Sequence, residues 1–244
     1  MNNKKNRQAS YVLSKSTYIR GLQCIKSLYL NKHRSFLRDP LSEEQKEKFK
    51  RGHSIGIVAQ ELFPNGITLG RPSKKAQEQT LKLIAEETPV IYEACFIYNE
   101  VIVALDILVR NNDKWDAYEV KSSTALSTTY YNDAALQHYV ISNSGIDIGK
   151  FYLVYRDEEY EMIDNTVELE AFIKEDVTDY CKSNINFIEQ NINRFKDVLS
   201  LPHSPKIEPD VQCLTPYPCD FIGFCWKNLS EERKNEILDD AGKF

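Results

Sequence analysis

Asp106 stands in the middle of an apolar run, residues 101–109, and the next apolar run, 117–121, carries Glu119 and Lys121 two positions apart. Alternate residues of a β-strand share a face. Glu119 and Lys121 therefore project together, with Val120 turned to the other side. If the two strands pair, Asp106 joins them, and two carboxylates with an ammonium group make a place to hold a divalent cation and activate water. The same pattern also serves as a solvated sheet face with a cross-strand ion pair. The flanks of Asp106 argue for the first use, because Leu105 and Ile107 place it in a buried strand and an unpartnered buried carboxylate is costly.

The cysteines form a second group. Of the six, Cys95 and Cys181 fall on apolar runs and read as small core residues. Cys213, Cys219 and Cys225 recur at every sixth position in a loop punctuated by Pro216, Pro218 and Gly223, which can wrap three thiolates around one centre. Four ligands are the usual complement, and Cys24, beside a basic stretch, is the natural fourth. Zinc and an iron–sulfur centre are both compatible with such donors. Either would staple the first helix to the C-terminal segment and close a loop of nearly the whole domain.

The elements that must position these residues follow from pattern. A helix capped by Ser16 or Thr17 is expected to run to Leu30. A second is expected over 42–62, with Ser42 and Gln45 in capping-box spacing, and a third over 73–87 with Ser73 as cap. Strands are expected at 90–98, 101–110 and 115–121, joined by turns at Asn99-Glu100 and 111–114. A helix over 133–143, a strand at 150–155 and one long amphipathic helix over 168–199 complete the order. The fold class is thus α/β, a central mixed β-sheet flanked by helices, with N-terminal helices and a Cys-rich C-terminal segment tied to the first of them. Glu93 alternates with apolar neighbours and can reach the same site as Asp106.

The chain has 244 residues, 28.3 kDa and 42% hydrophobic residues, enough for one sizeable core. No run approaches a membrane span, and no apolar signal core follows the basic N-terminus, so a cytoplasmic protein with reduced thiols is expected. The net charge of −5 divides unevenly: residues 1–51 hold 13 Lys or Arg against 4 Asp or Glu, whereas 157–179 hold 10 acids against Lys174 alone. Such a field could steer a polyanion toward the N-terminal half, while Lys46, Lys48, Lys50 and Arg51 also fit the plain exposed face of a helix.

Asp106, the string Glu119-Val120-Lys121-Ser122-Ser123-Thr124 and Gln137 in the following helix resemble the PD-(D/E)XK nuclease superfamily in its RecB-like branch, with Leu105 where the family name has proline. The split between Cys24 and the trio Cys213, Cys219 and Cys225 is similar to the iron–sulfur members of that branch, the CRISPR-adaptation exonucleases among them, although those space the first two C-terminal cysteines more closely. The resemblance implies a restriction-endonuclease-like core over 12–228, a flexible N-terminus at 1–11 and a C-terminal tail at 229–244. It implies Mg²⁺ or Mn²⁺ held by Asp106, Glu119 and the Val120 carbonyl, with His53 as a further ligand. Lys121 would position the attacking hydroxide, and Gln137 and Tyr139 would orient Lys121 or the DNA backbone. It further implies a [4Fe–4S] cluster on Cys24, Cys213, Cys219 and Cys225, with zinc as the alternative. The expected activity is exonucleolytic cleavage of single-stranded DNA ends. Rival expectations are a non-catalytic nucleic-acid-binding module on the same fold and a restriction-type endonuclease. No Gly-rich P-loop occurs in the sequence, so unwinding of a duplex is expected from a helicase or CRISPR-adaptation partner.

Overall fold

The computed structural model describes residues 12–158, 160 and 169–242; the expected flexible N-terminus at 1–11 lies outside them. A seven-stranded mixed sheet forms the centre, in the order β2-β3-β4-β5-β6-β7, with β1 pairing β4 off that path. These strands are β1 (Leu13–Ser14), β2 (Ile67–Thr68), β3 (Val90–Tyr98), β4 (Val101–Asn111), β5 (Lys114–Val120), β6 (Ile148–Arg156) and β7 (Phe172–Asp176). The β3-β4-β5 meander is antiparallel, and β5 and β6 run parallel. A parallel pair needs a crossover, which α5 (Thr128–Asn143) supplies. No helix among the described residues is long and apolar enough to cross a membrane.

Helices cover both faces of the sheet. On one face α1 (Lys15–Gln23), α5 and α7 (Ile185–Ser200) bury Tyr18, Leu136, Val140, Ile188, Ile192 and Phe195 against Leu105, Leu108, Ala117 and Phe151. Removing a fully buried ring such as Phe195 would cost about 3–5 kcal/mol. On the other face α3 (Glu43–Gln60) packs Ile55 and Ala59 against Tyr92, Ile107 and Tyr118. Helix α4 (Lys74–Ala85) lies along β3, where the Thr80 hydroxyl accepts from the Cys95 N–H.

Local signals act as expected at several ends. Ser42 caps α3 in a capping box with Gln45, and Ser73 caps α4. Asn99 and Glu100 both take positive φ in the β3–β4 turn. Helix α5 ends at Gly145, whose φ of +90° suits a residue without Cβ.

Four expectations need correction. Ser14, not Ser16 or Thr17, caps the first helix, which breaks at Cys24 into α1 and α2 (Ile25–His33). Helix α5 starts at Thr128, a turn before Asp133. The long helix over 168–199 is in fact β7, α6 (Thr178–Ser183) and α7. Phe172 and Ile173 satisfy a helical stripe and a strand equally, and pairing with the open edge of β6 decides between them. Asp176 then ends the strand by accepting from the Thr178 N–H at 3.0 Å. Finally, the stretch expected as a tail contains a last helix, α8 (Glu231–Ala241), whose Ile237 is buried with Cys213 and Trp226.

Candidate active site and thiol cluster

Asp106 lies one residue past the last pair of the β4–β5 ladder, Ile107 with Tyr118. The strands part there, and the Asp106 carboxylate takes the Val120 N–H at 2.7 Å. On its other side the β3–β4 ladder skips a pair, between Tyr92–Ile107 and Ala94–Leu105, where Glu93 takes a φ of +57°. Left-handed backbone at a residue with a Cβ is strained, and here it turns Glu93 to the wall that Asp106 shares. Glu119 and Lys121 do share a face: the Lys121 ammonium donates to Glu119 Oε1 at 2.8 Å.

Two residues join them that sequence reasoning missed. Asp133, on α5, accepts from Lys121 Nζ at 2.5 Å. Lys15, the first residue of α1, donates to Glu119 Oε1 at 2.6 Å and lies 3.8 Å from Asp133. Asp133 had a visible signal, since it precedes Gln137 by one helical turn. Lys15 had none; pairing of β1 with β4 and the Ser14 cap bring it across 104 positions.

Gln137 is buried and reaches the cluster through Asp133, to which it donates at 3.4 Å. Tyr139 is not part of the site: its hydroxyl meets Asn99 and Glu189, both at 3.4 Å, and its ring packs against Tyr98. Two positions along a helix turn a side chain by roughly 200°, so Gln137 and Tyr139 cannot serve one point. His53 is exposed on α3 and lines, with Glu93, Asp106, Glu119, Val120, Lys121 and Tyr130, one open cavity of about 370 Å³. Tyr130 offers its ring to the Lys121 ammonium, 5.1 Å from the centroid.

The charges explain the titration of the group. Burial, then the Glu119 charge beside it, pushes the Asp106 carboxyl up to about 7. Burial pushes Glu119 the same way, but Lys121 and Lys15 overcome it and hold that carboxyl well below the usual range. Burial disfavours both ammonium groups, yet Asp133 and Glu119 keep Lys15 and Lys121 charged beyond the usual lysine range. Burial raises Asp133 and Glu93.

Glu119 is 2% exposed, its Oε1 takes two ammonium groups and its Oε2 has no hydrogen-bond partner. An unpaired buried acceptor beside a second carboxylate suits a hard cation. Among the described residues, no three His, Cys, Asp or Glu side chains stand converged on a single-ion site. Lysines 15 and 121 supply the counter-charge instead. The oxygens of Asp106 and Glu119 fit Mg²⁺ or Mn²⁺ by chemistry.

The four cysteines singled out from sequence line one second cavity with Ser27, Ile207, Phe221 and Ile222. Cys24 sits at the extended break between α1 and α2, and the Cys219 N–H closes the loop onto the Cys213 carbonyl at 2.8 Å. Tail and helices are tied independently of the thiols. Arg20 donates to Asp220 at 2.6 Å, and the Gln23 amide donates to the Gln212 and Tyr217 carbonyls at 2.9 and 2.7 Å. All four thiols are free. Burial raises Cys219 and pushes Cys225 up to about 11, so a bound metal is what would make them thiolates. The free space among them is about 10 Å³, room for one water-sized species.

No family model matches the sequence, and no curated protein matches it. Among solved structures, the chain is similar to that of SSO0001, at 10% identity over 85% of this chain and 86% of that one, with a TM-score of 0.41. It is also similar to a phage related exonuclease from Haemophilus somnus 129PT, at 10% identity over 78% of this chain and 97% of that one, with a TM-score of 0.30. Likenesses this distant carry no argument about chemistry, which rests on the site itself.

Proposed function

We propose that the protein is a metal-dependent DNA nuclease of the PD-(D/E)XK, RecB-like kind, acting on single-stranded ends. The observation that carries this reading is the convergence of Asp106, Glu119 and Lys121 at an open cavity, with Glu119 Oε2 left unpaired. Asp106, Glu119 and the Val120 carbonyl would hold Mg²⁺ or Mn²⁺. Bound there, the cation would lower the pKa of a water and offset charge on the scissile phosphate. His53, on the α3 wall of the same cavity, would be a further ligand.

The chain's own groups do the rest. Lys121, fixed by Glu119, Asp133 and the Tyr130 ring, presents an ammonium group to the cavity and stabilises negative charge developing on the phosphate. Asp133 is the positioning residue for Lys121, and Gln137 holds Asp133. Lys15 and Lys121 both donate to Glu119 Oε1, which leaves Oε2 as the oxygen a cation would take.

Cys24, Cys213, Cys219 and Cys225 would hold a [4Fe–4S] cluster, whose role is to brace α1 and α2 against the C-terminal segment. A single zinc on the same four thiols is the second reading, since zinc takes thiolate donors as readily.

The test is cleavage of end-labelled single-stranded and circular DNA with Mn²⁺ and with EDTA. An exonuclease degrades the linear strand in Mn²⁺ only and spares the circle. Cleavage of the circle turns the reading to an endonuclease, and binding without cleavage turns it to a non-catalytic module.

A further inference from the structure

Helix α3 is 18 residues long, yet its buried residues are Ile55 and Ala59, both in the second half. Residues 43–51 of the first half are exposed, Gln45 partly. Residues 49, 52, 53, 56, 57 and 60 share one helical face, and five of them, Gly52, His53, Gly56, Ile57 and Gln60, line the cavity that contains Asp106, Glu119 and Lys121. The sixth, Phe49, is 64% exposed, and Ile57 is 52% exposed. Phe49 thus presents an open aromatic ring at one end of the face that lines the cavity.

The two glycines are unexplained by packing. A mid-helix glycine costs about 1 kcal/mol against alanine. A Cβ on Gly56 would meet nothing within 4 Å, and one on Gly52 would approach only Ser122 Oγ, at 3.9 Å. Their effect is to keep the cavity wall open at backbone level. Inside that cavity Glu119, almost wholly buried, has an oxygen without a partner. Lys48 and Lys50 flank this face on its two sides and are exposed, so the helix offers cations beside an aromatic ring. That combination matches a strand with charged phosphates and unpaired bases.

We propose that this face of α3 is the track for a single strand of nucleic acid, with Phe49 stacking on an unpaired base and Gly56 admitting the sugar–phosphate chain to the reaction centre. The inference rests on the nuclease reading for the nature of its ligand and adds the residues that select an unpaired strand. In a duplex the base faces are stacked on one another, so Phe49 has nothing to engage.

The test is fluorescence anisotropy of the full-length protein with a labelled single strand and with a blunt duplex, in EDTA, where cleavage plays no part. Phe49→Ala is expected to weaken single-strand binding about 5- to 150-fold, the range for loss of one base–aromatic stack, and to leave duplex binding unchanged. Phe49→Tyr restores it. Gly56→Leu weakens single-strand binding at least about 10-fold, whereas Gly56→Ala raises the melting temperature by roughly 2–4 °C and confirms that the helix tolerates a side chain. Wild-type single-strand affinity in Phe49→Ala, an equal loss on both substrates, or no single-strand binding by the wild-type protein would each overturn the inference. Binding that follows this pattern without any Mn²⁺-dependent cleavage would uphold the track and sink the nuclease reading, so the two fail separately.

Discussion

Asp106→Asn separates a metal ligand from a structural acid. Asparagine is nearly isosteric and keeps an oxygen for the Val120 N–H. What it removes is a buried negative charge beside Glu119. The folded carboxyl has a pKa of about 7 against an ordinary 3.8, raised by burial and then by Glu119. The sign follows: the unfolded chain ionises first, so ionised Asp106 destabilises the folded state, increasingly between those two pH values and constantly above the higher. At 1.36 kcal/mol per tenfold, the gap sets an upper bound of about 4 kcal/mol. In EDTA near pH 8 the variant is therefore expected to be more stable by about 2–4 kcal/mol, a melting temperature roughly 5–15 °C higher. Mn²⁺ narrows the gap: at 100 times its dissociation constant it adds about 2.7 kcal/mol to the wild type and little to the variant. Differential scanning fluorimetry in EDTA and across a Mn²⁺ titration reads both effects. A variant less stable in EDTA, or a Mn²⁺ shift equal in both proteins, would refute the argument, because Asp106 would then be a backbone cap and not a ligand.

Lys121→Met is expected to abolish cleavage and also to destabilise the fold by about 3 kcal/mol, since it strips the buried Asp133 and Glu119 of a shared ammonium group; an unchanged urea midpoint would show that Lys15 alone suffices. Cys219→Ala, purified anaerobically, should lose bound iron and sulfide, or zinc, and melt lower, and full metal content by elemental analysis would remove Cys219 from the ligand set. His138 is buried with Nδ1 unpaired, and burial, then Lys182, lowers its pKa to about 4. Its neutral form is the folded one, so its contribution is complete above pH 6.5 and falls by about 1.36 kcal/mol per pH unit between 6.5 and about 4. His138→Phe should flatten the urea-melt pH profile in that window, and an identical slope would discard the assignment.

Much of the scaffold was legible because its signals are local. Ser42 with Gln45, Ser73, and the Asn99-Glu100 turn each act within a few residues, where short-range hydrogen bonding decides conformation. The strand alternation that puts Glu119 and Lys121 on one side is likewise a property of the backbone. The break at Cys24 and the conversion of 172–176 to a strand were not legible. Their residues fit two conformations, and the partner that chooses, the C-terminal loop or the edge of β6, is distant in sequence.

The sequence by itself determined the chemical repertoire: two carboxylates and an amine in adjacent strands, and four thiols divided between the chain's two ends. The tertiary structure alone decided the electrostatics. It brought Lys15 and Asp133 to the pair at 119 and 121, removed Tyr139 to another side of its helix, and suspended the glycine-bearing face of α3 over the cavity. Charges act through space, and the spacing of residues along a chain does not state which of them will share a buried volume.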